Sequence, residues 1–399
     1  MSDGDARADD EVRLRLDLPP VPVLRNDLLD RWHEAHDVEH DAARRLAPAV
    51  AAAVGLWHGD RCLEGLAGVT PSVSGTVDPP LFPAPRAFLS ATDVERLAAT
   101  RAALDHVAAR HRIGALGIDR TPVQPETPFV LHALAEGRTT GPYETNPGLL
   151  RVHAWRWAFA GSPYDPPPPA VVRHLTTRLV ADAATLPDHP LAVAGWAAFC
   201  WLTIHPFADG NGRTARLLYL LLASQALAHL DLGVLELVGQ RRRAYLDAIH
   251  AGQWTTPHWD PDVLDAGPLT TTLAAWSTEA AVRQAVRLRA AGAVADAIAG
   301  RHPGLDEEGL GTAVRAWLSR LLDPGDLMEP TLGGDPPSSP VRGLEVLVDA
   351  GVLERLPLPP SRRRAGRAVV GYRLRPATTE AADAVASAAV TGAEGHATT

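Results

Sequence analysis

Two apolar runs with a polar dodecapeptide wedged between them constrain this chain more than any other feature. WAAFCWLTI (196–204) and LLYLLLASQAL (217–227) are hydrophobic enough to form buried helices, and HPFADGNGRTAR (205–216) joins them. A core does not take in a histidine, a carboxylate, an amide and two arginines unless they are paired or bound. The sequence therefore predicts a helix ending near 204, a loop, and a second helix from about 211 to 229, with the corner open to a ligand.

Each residue of the junction has a chemical reading. Gly210, Asn211 and Gly212 stand where the second helix begins, so their unpaired amides and the positive end of the helix dipole suit an anion. Arg213 and Arg216 are three residues apart, hence on one face, and planar guanidinium forks match phosphate oxygens. Asp209, the only acid in the stretch, is the candidate ligand for a Mg²⁺ ion bridging phosphates. His205 is the residue suited to accept a proton near neutrality. Phe207, alternating with the polar groups, is expected to turn inward as an anchor. Base, metal ligand, anion cradle and charge clamp are the parts of nucleotidyl or phosphoryl transfer, where positioning and electrostatics do most of the work.

The string meets every defined position of H-x-F-x-[D/E]-G-N-G-R-x-x-R, and on it the chain resembles the Fic family, in its active-type form. LHAL (131–134), GPYE (141–144), a strand–turn pattern near 152–166 and YLDAI (245–249) follow in the order of a Fic core, so the resemblance covers about 127–255. It implies a helical core with a β-hairpin flap, and AMP transfer from ATP to a Tyr, Ser or Thr hydroxyl with release of pyrophosphate. His205 would be the base and Asp209 would hold Mg²⁺. Asn211 and the amides of Gly210 and Gly212 would steady the α-phosphate, with Arg213 and Arg216 on the outer phosphates. A target protein would pair along the flap at about 150–166, and the chain itself is a further possible target. Other donors, a nucleotide-sensing DNA-binding regulator with a non-catalytic core, and an inactive scaffold stay open, because a fold does not dictate a function.

The same resemblance raises the question of an inhibitory helix of pattern [S/T]-x-x-x-E-[G/N], whose glutamate would engage Arg216. Thr70 to Gly75 has the frame, with Ser74 in place of the glutamate. DRCLEG (60–65) offers Glu64–Gly65 but no Ser or Thr four positions earlier, and fits less well.

Around this core the chain divides into a polar tail (1–20), a helical region (21–126), the core (127–255), a helical extension (256–303), a winged-helix-like α+β unit (304–376) and a loose tail (377–399). In the α+β unit, apolar spacing predicts a helix over 339–350 stopped by Gly351, then strands at 352–356 and 368–374 around an arginine-rich loop, PPSRRRAGR (359–367). That loop could contact DNA phosphates as a wing, although docking within the protein or on a partner is the preferred reading.

Composition removes several other functions. All 38 basic residues are arginine, which excludes a lysine Schiff base and a lysine-bearing phosphate loop, and the net charge of −9 argues against polyanion binding by the whole chain. Cys62 and Cys200 are too few for a disulfide framework. No apolar run is long enough to cross a membrane, and the acidic start lacks the regions of a signal peptide, so a cytoplasmic protein is expected. HDVEH (36–40) has the spacing of some zinc proteases but no downstream acid to complete the set, and we take it as a solvated helical face without metal.

Overall fold

The structure, a computed structural model, describes residues 16–68, 91–115, 123–136, 148–152, 164–227, 229–253, 256, 258–319, 340–357 and 370–396. In chain order the helices are α1 (Asn26–Arg44), α2 (Pro48–Ala67), α3 (Ala91–Ala115), α4 (Thr127–Glu136), α5 (Pro169–Thr185), α6 (Pro190–Ile204) and α7 (Asn211–Ala223). There follow α8 (Gly233–Gln240), α9 (Arg242–Gln253), α10 (Gly267–Arg301), α11 (Glu307–Ser319), α12 (Pro340–Asp349) and α13 (Pro376–His396). Strands β1 (Leu353–Pro357) and β2 (Val370–Leu374) pair antiparallel, with Leu353 opposite Leu374 and Pro357 opposite Val370.

Proline at the first position starts α2, α5 and α6, where its missing N–H costs nothing and its fixed φ suits a helix. The continuous helical pattern over 24–68 is thereby divided at Pro48. Helix α6 is apolar on every side, and each of its residues from Leu191 to Ile204 is buried. A helix without a polar face must be enclosed. Here α5, α7 and α10 enclose it.

Two apolar clusters result. One gathers α6, α7, the ends of α2 and α8, and the first half of α10 (Leu269, Leu273, Trp276). The other takes the start of α2, the second half of α10 (Leu288, Val294, Ile298), α11, the hairpin and α13. Helix α10, 35 residues and so about 52 Å long, is the shared spine. Between the clusters, Arg287 donates to both carboxylate oxygens of Glu236 (2.7 Å each) and lies 5.1 Å from the Trp57 ring centre.

The helix-then-hairpin order after residue 339 is present, and Gly351 ends α12 with φ 75°. Two expectations need correction. Residues 377–396 are not a loose tail but helix, because Ala382 and Ala386 line one face and pack beside α10. The 36–40 stretch is not a solvated face throughout, since His36 is 3% exposed and turned toward α10. The start of the chain is also held where it is described: Pro19 O accepts from Trp196 Nε1 (2.7 Å). Most of the expected flap (153–163), GPYE (141–144), the Thr70–Gly75 frame, the arginine loop (359–367) and residues 1–15 lie outside the described residues. No described helix is long and apolar enough to cross a membrane.

Candidate active site

The end of α6 and the start of α7 meet at the predicted corner. His205 caps α6 in the left-handed conformation (φ 51°, ψ 60°) and is the only non-glycine residue with positive φ among the described residues. Histidine is among the few side chains found there at modest cost. Gly210, φ 78°, caps α7 from the other side with no side chain filling the helix N-terminus.

Four side chains hold the loop between them. Asn211 accepts from Phe207 N–H (2.9 Å) and donates to Phe207 O (2.8 Å), closing the turn on itself. His132 of α4 stacks on Phe207 at 3.6 Å between ring centres. Gly148 N–H donates to His132 Nδ1 (2.8 Å), so the ring hydrogen sits on Nε2 and is donated to Asp209 O (2.9 Å). Burial holds this imidazole at a pKa of about 4, despite the restoring effect of that carbonyl. Arg151, 5% exposed, donates Nε to His205 O (2.7 Å) and Nη2 to Pro167 O and Ile204 O. A cation on the last carbonyls of α6 also answers the negative end of its dipole. Finally Glu136, at the end of α4, lies 2.5 Å from Arg213 Nη2.

Gly210 is the point where these parts touch. A Cβ there would run into Glu136 Oε1 and lie 2.9 Å from His132 Nε2, on a backbone that L side chains avoid. Gly210→Ala is therefore expected to cost about 2–4 kcal/mol, from positive-φ strain together with overpacking. Urea unfolding with an unchanged slope would measure it.

His205 Nδ1 faces Leu202 O at 3.3 Å. A carbonyl only accepts, so Nδ1 carries the hydrogen and Nε2 the lone pair. Burial lowers its pKa to about 4, again against the carbonyl's opposing effect. The ring is thus neutral and basic at Nε2 across physiological pH.

A cavity of about 430 Å³ opens beside it, walled by the motif loop, by Gly65 and Gly68 at the end of α2, and by Tyr245 and Ile249 of α9. Asp209 stands at the mouth with its side chain 63% exposed, Oδ1 accepting from Gly210 N–H (2.7 Å). An exposed carboxylate at a helix N-terminus has the hard oxygen donors that Mg²⁺ takes, and the fit is good.

The predicted site residues are thus assembled at one cavity, though some face differently from expectation. Asn211 spends both side-chain groups on Phe207, leaving its backbone amide for an anion. Arg213 is neutralised by Glu136 and bonded to Ala135 O (3.2 Å). Arg216 is half-buried and donates to Leu66 O (2.7 Å) at the end of α2. That contact comes from the neighbourhood of Glu64–Gly65, the less favoured of the two frames. Glu64 itself pairs with Arg61 (3.2 Å). A Cβ on Gly65 would collide with Leu235 O, so this glycine lets α2 lie directly on the backbone of α8.

Residues 124–223 match the sequence model of the Fic/DOC family. No curated protein matches the chain. Among solved structures, a Fic family protein from Desulfovibrio desulfuricans G20 is similar at 19% identity, over 90% of this chain and 98% of that one, with a TM-score of 0.44. Fic-1 (residues 134–508) from C. elegans is similar at 19% identity over 65% of this chain and 72% of its own, TM-score 0.44. A Fic domain containing signaling protein from Bacteroides thetaiotaomicron VPI-5482 shares 16% identity over 65% of this chain and 97% of its own, TM-score 0.44.

Proposed function

Residues 124–223 match the Fic/DOC family model, and from that match we propose that this chain transfers AMP from ATP to a hydroxyl side chain of a protein. The observation that carries the reading is the neutral His205, its basic Nε2 on a ring beside an uncapped helix N-terminus in the same cavity. In the proposed reaction the target hydroxyl gives its proton to His205 Nε2 as its oxygen bonds to the α-phosphorus. The bond from that phosphorus to the oxygen bridging the β-phosphate breaks, and pyrophosphate leaves with the electron pair. The backbone amides at the start of α7 face the developing negative charge, where fixed donors are most effective. Asp209 would hold Mg²⁺, which when bound neutralises phosphate charge. Tyr245 and Ile249 offer an apolar wall for the nucleoside.

Arg216 already donates one of its N–H groups to the Leu66 carbonyl, so a triphosphate would share this guanidinium with the end of α2. Competition of α-labelled ATP by other nucleoside triphosphates tests the donor: a better competitor than ATP replaces adenosine in this reading.

The protonation state gives a pH prediction. A general base works only when deprotonated, and His205 with a pKa of about 4 is deprotonated well below neutrality. The rate of transfer is expected to stay level from pH 8 down to about 5.5 and then fall along an acid limb. An acid limb centred near 6.5, the ordinary histidine value, would contradict the burial-driven depression.

A further inference from the structure

Beyond the far end of α7, a second group of side chains converges. His36 Nδ1 lies 3.3 Å from Glu39 Oε2, and His229 Nε2 lies 3.5 Å from the same oxygen. The three atoms are all within 4.8 Å of one another. Neither ring nitrogen makes a hydrogen bond, although His36 is 3% exposed.

The contacts behind His36 decide where its hydrogen sits. Ser277 Oγ accepts from Trp32 Nε1 (2.6 Å) and gives its one hydrogen to Asp231 Oδ2 (2.5 Å). With that hydrogen committed, the contact with His36 Nε2 at 3.3 Å must be donated by the ring. Neutral His36 therefore turns a bare Nδ1 lone pair toward a carboxylate oxygen. Two acceptors facing each other, one of them on a buried ring and the other half-buried, favour positive charge between them.

The spacing suits a metal ion. Ligands at the corners of a tetrahedron with bonds of 2.0–2.1 Å stand about 3.3–3.4 Å apart, close to both measured separations. An imidazole tethered through its other nitrogen to a hydroxyl and a carboxylate is the outer-shell arrangement that orients metal-binding histidines. A cavity of about 160 Å³, lined by Glu39 and Asp231, adjoins the group and has room for water. The neighbouring His58–Cys62–Glu236 cluster lacks this demand, because Arg287 already supplies the charge facing Glu236.

We propose that His36, Glu39 and His229 bind a divalent transition metal of the zinc class, water completing the set, as a clip between α1 and the segment after α7. Imidazole and carboxylate favour such an ion over Mg²⁺, which prefers oxygen ligands and octahedral geometry. The 13 residues of α7 put about 20 Å between this site and the Asp209 loop, so the inference stands whatever the catalytic reading becomes.

The test uses the full, untagged chain, stripped with a chelator and titrated with Zn²⁺ against a competing chromophoric chelator in excess Mg²⁺. One equivalent is expected to bind and to raise the melting temperature. His229→Gln and Glu39→Gln, both at partly exposed positions, are expected to fold by circular dichroism and to lose more than 100-fold in affinity. Ser277→Ala, behind the site, should lose about 10–100-fold. No stoichiometric binding by the unmodified chain would overturn the proposal, leaving a proton on His36 as the bridging charge. Binding undiminished in His229→Gln and Glu39→Gln would overturn it equally.

Discussion

Replacing His205 with asparagine is expected to lower transfer of the α-phosphate label by about 10²–10⁴-fold, the usual contribution of a positioned general base. Asparagine is the informative substitution because it tolerates the left-handed backbone that His205 adopts (φ 51°), so the corner between α6 and α7 keeps its shape. Alanine removes the same base but adds about 1–2 kcal/mol of backbone cost. The two variants should therefore be equally inactive and differ in stability. ATP binding, followed by calorimetry with Mg²⁺ present, should survive in both, since the amides at the start of α7 and Asp209 are untouched. Label from α-labelled ATP but none from γ-labelled ATP on the unmodified protein would support AMP transfer. Undiminished transfer by His205→Asn would remove the base from the mechanism.

The junction was legible because it breaks a pattern: twelve mostly polar or small residues between two runs that can only be buried. Local signals also placed the small sheet, where Gly351 and the alternation after it mark the turn and strands. What one stretch of sequence cannot carry is the identity of distant partners. Glu136, His132 and Arg151 lie 50 or more residues from the loop they hold, and nothing in LHAL or LLRV announces that a ring will stack on Phe207. For the same reason Arg213 and Arg216 look available in sequence, while in the fold Ala135 and Leu66 have already taken them up. The helix at 376–396 was missed because Ala and Thr repeats carry a weak apolar stripe; packing beside α10 supplies what propensity lacks. His36 was misjudged similarly, since a polar-looking face of α1 becomes interior only once α10 lies across it.

Arg151→Ala is expected to cost about 3–5 kcal/mol of stability and at least 100-fold in transfer. Its guanidinium is the donor for His205 O, Pro167 O and Ile204 O, and its own N–H donates to Pro206 O (2.8 Å). Truncation leaves three carbonyls with a lost donor in a nearly closed environment, each worth about 1–3 kcal/mol when unsatisfied. Burial already lowers the pKa of this arginine to about 10, so the fold spends energy to keep a cation there. The return is geometric. The bond to His205 O helps fix the peptide whose rotation sets the imidazole, and a displacement of about 1 Å at a reacting group is enough for a 100-fold loss. Lysine should recover little, because one ammonium cannot span three carbonyls with the guanidinium's planar fork. A positioning role has its own signature: kcat falls while the KM for ATP changes little, and the acid limb of the pH profile shifts because the surroundings of His205 change with it. A loss of stability with kcat and pH profile intact would reduce Arg151 to a cap on α6.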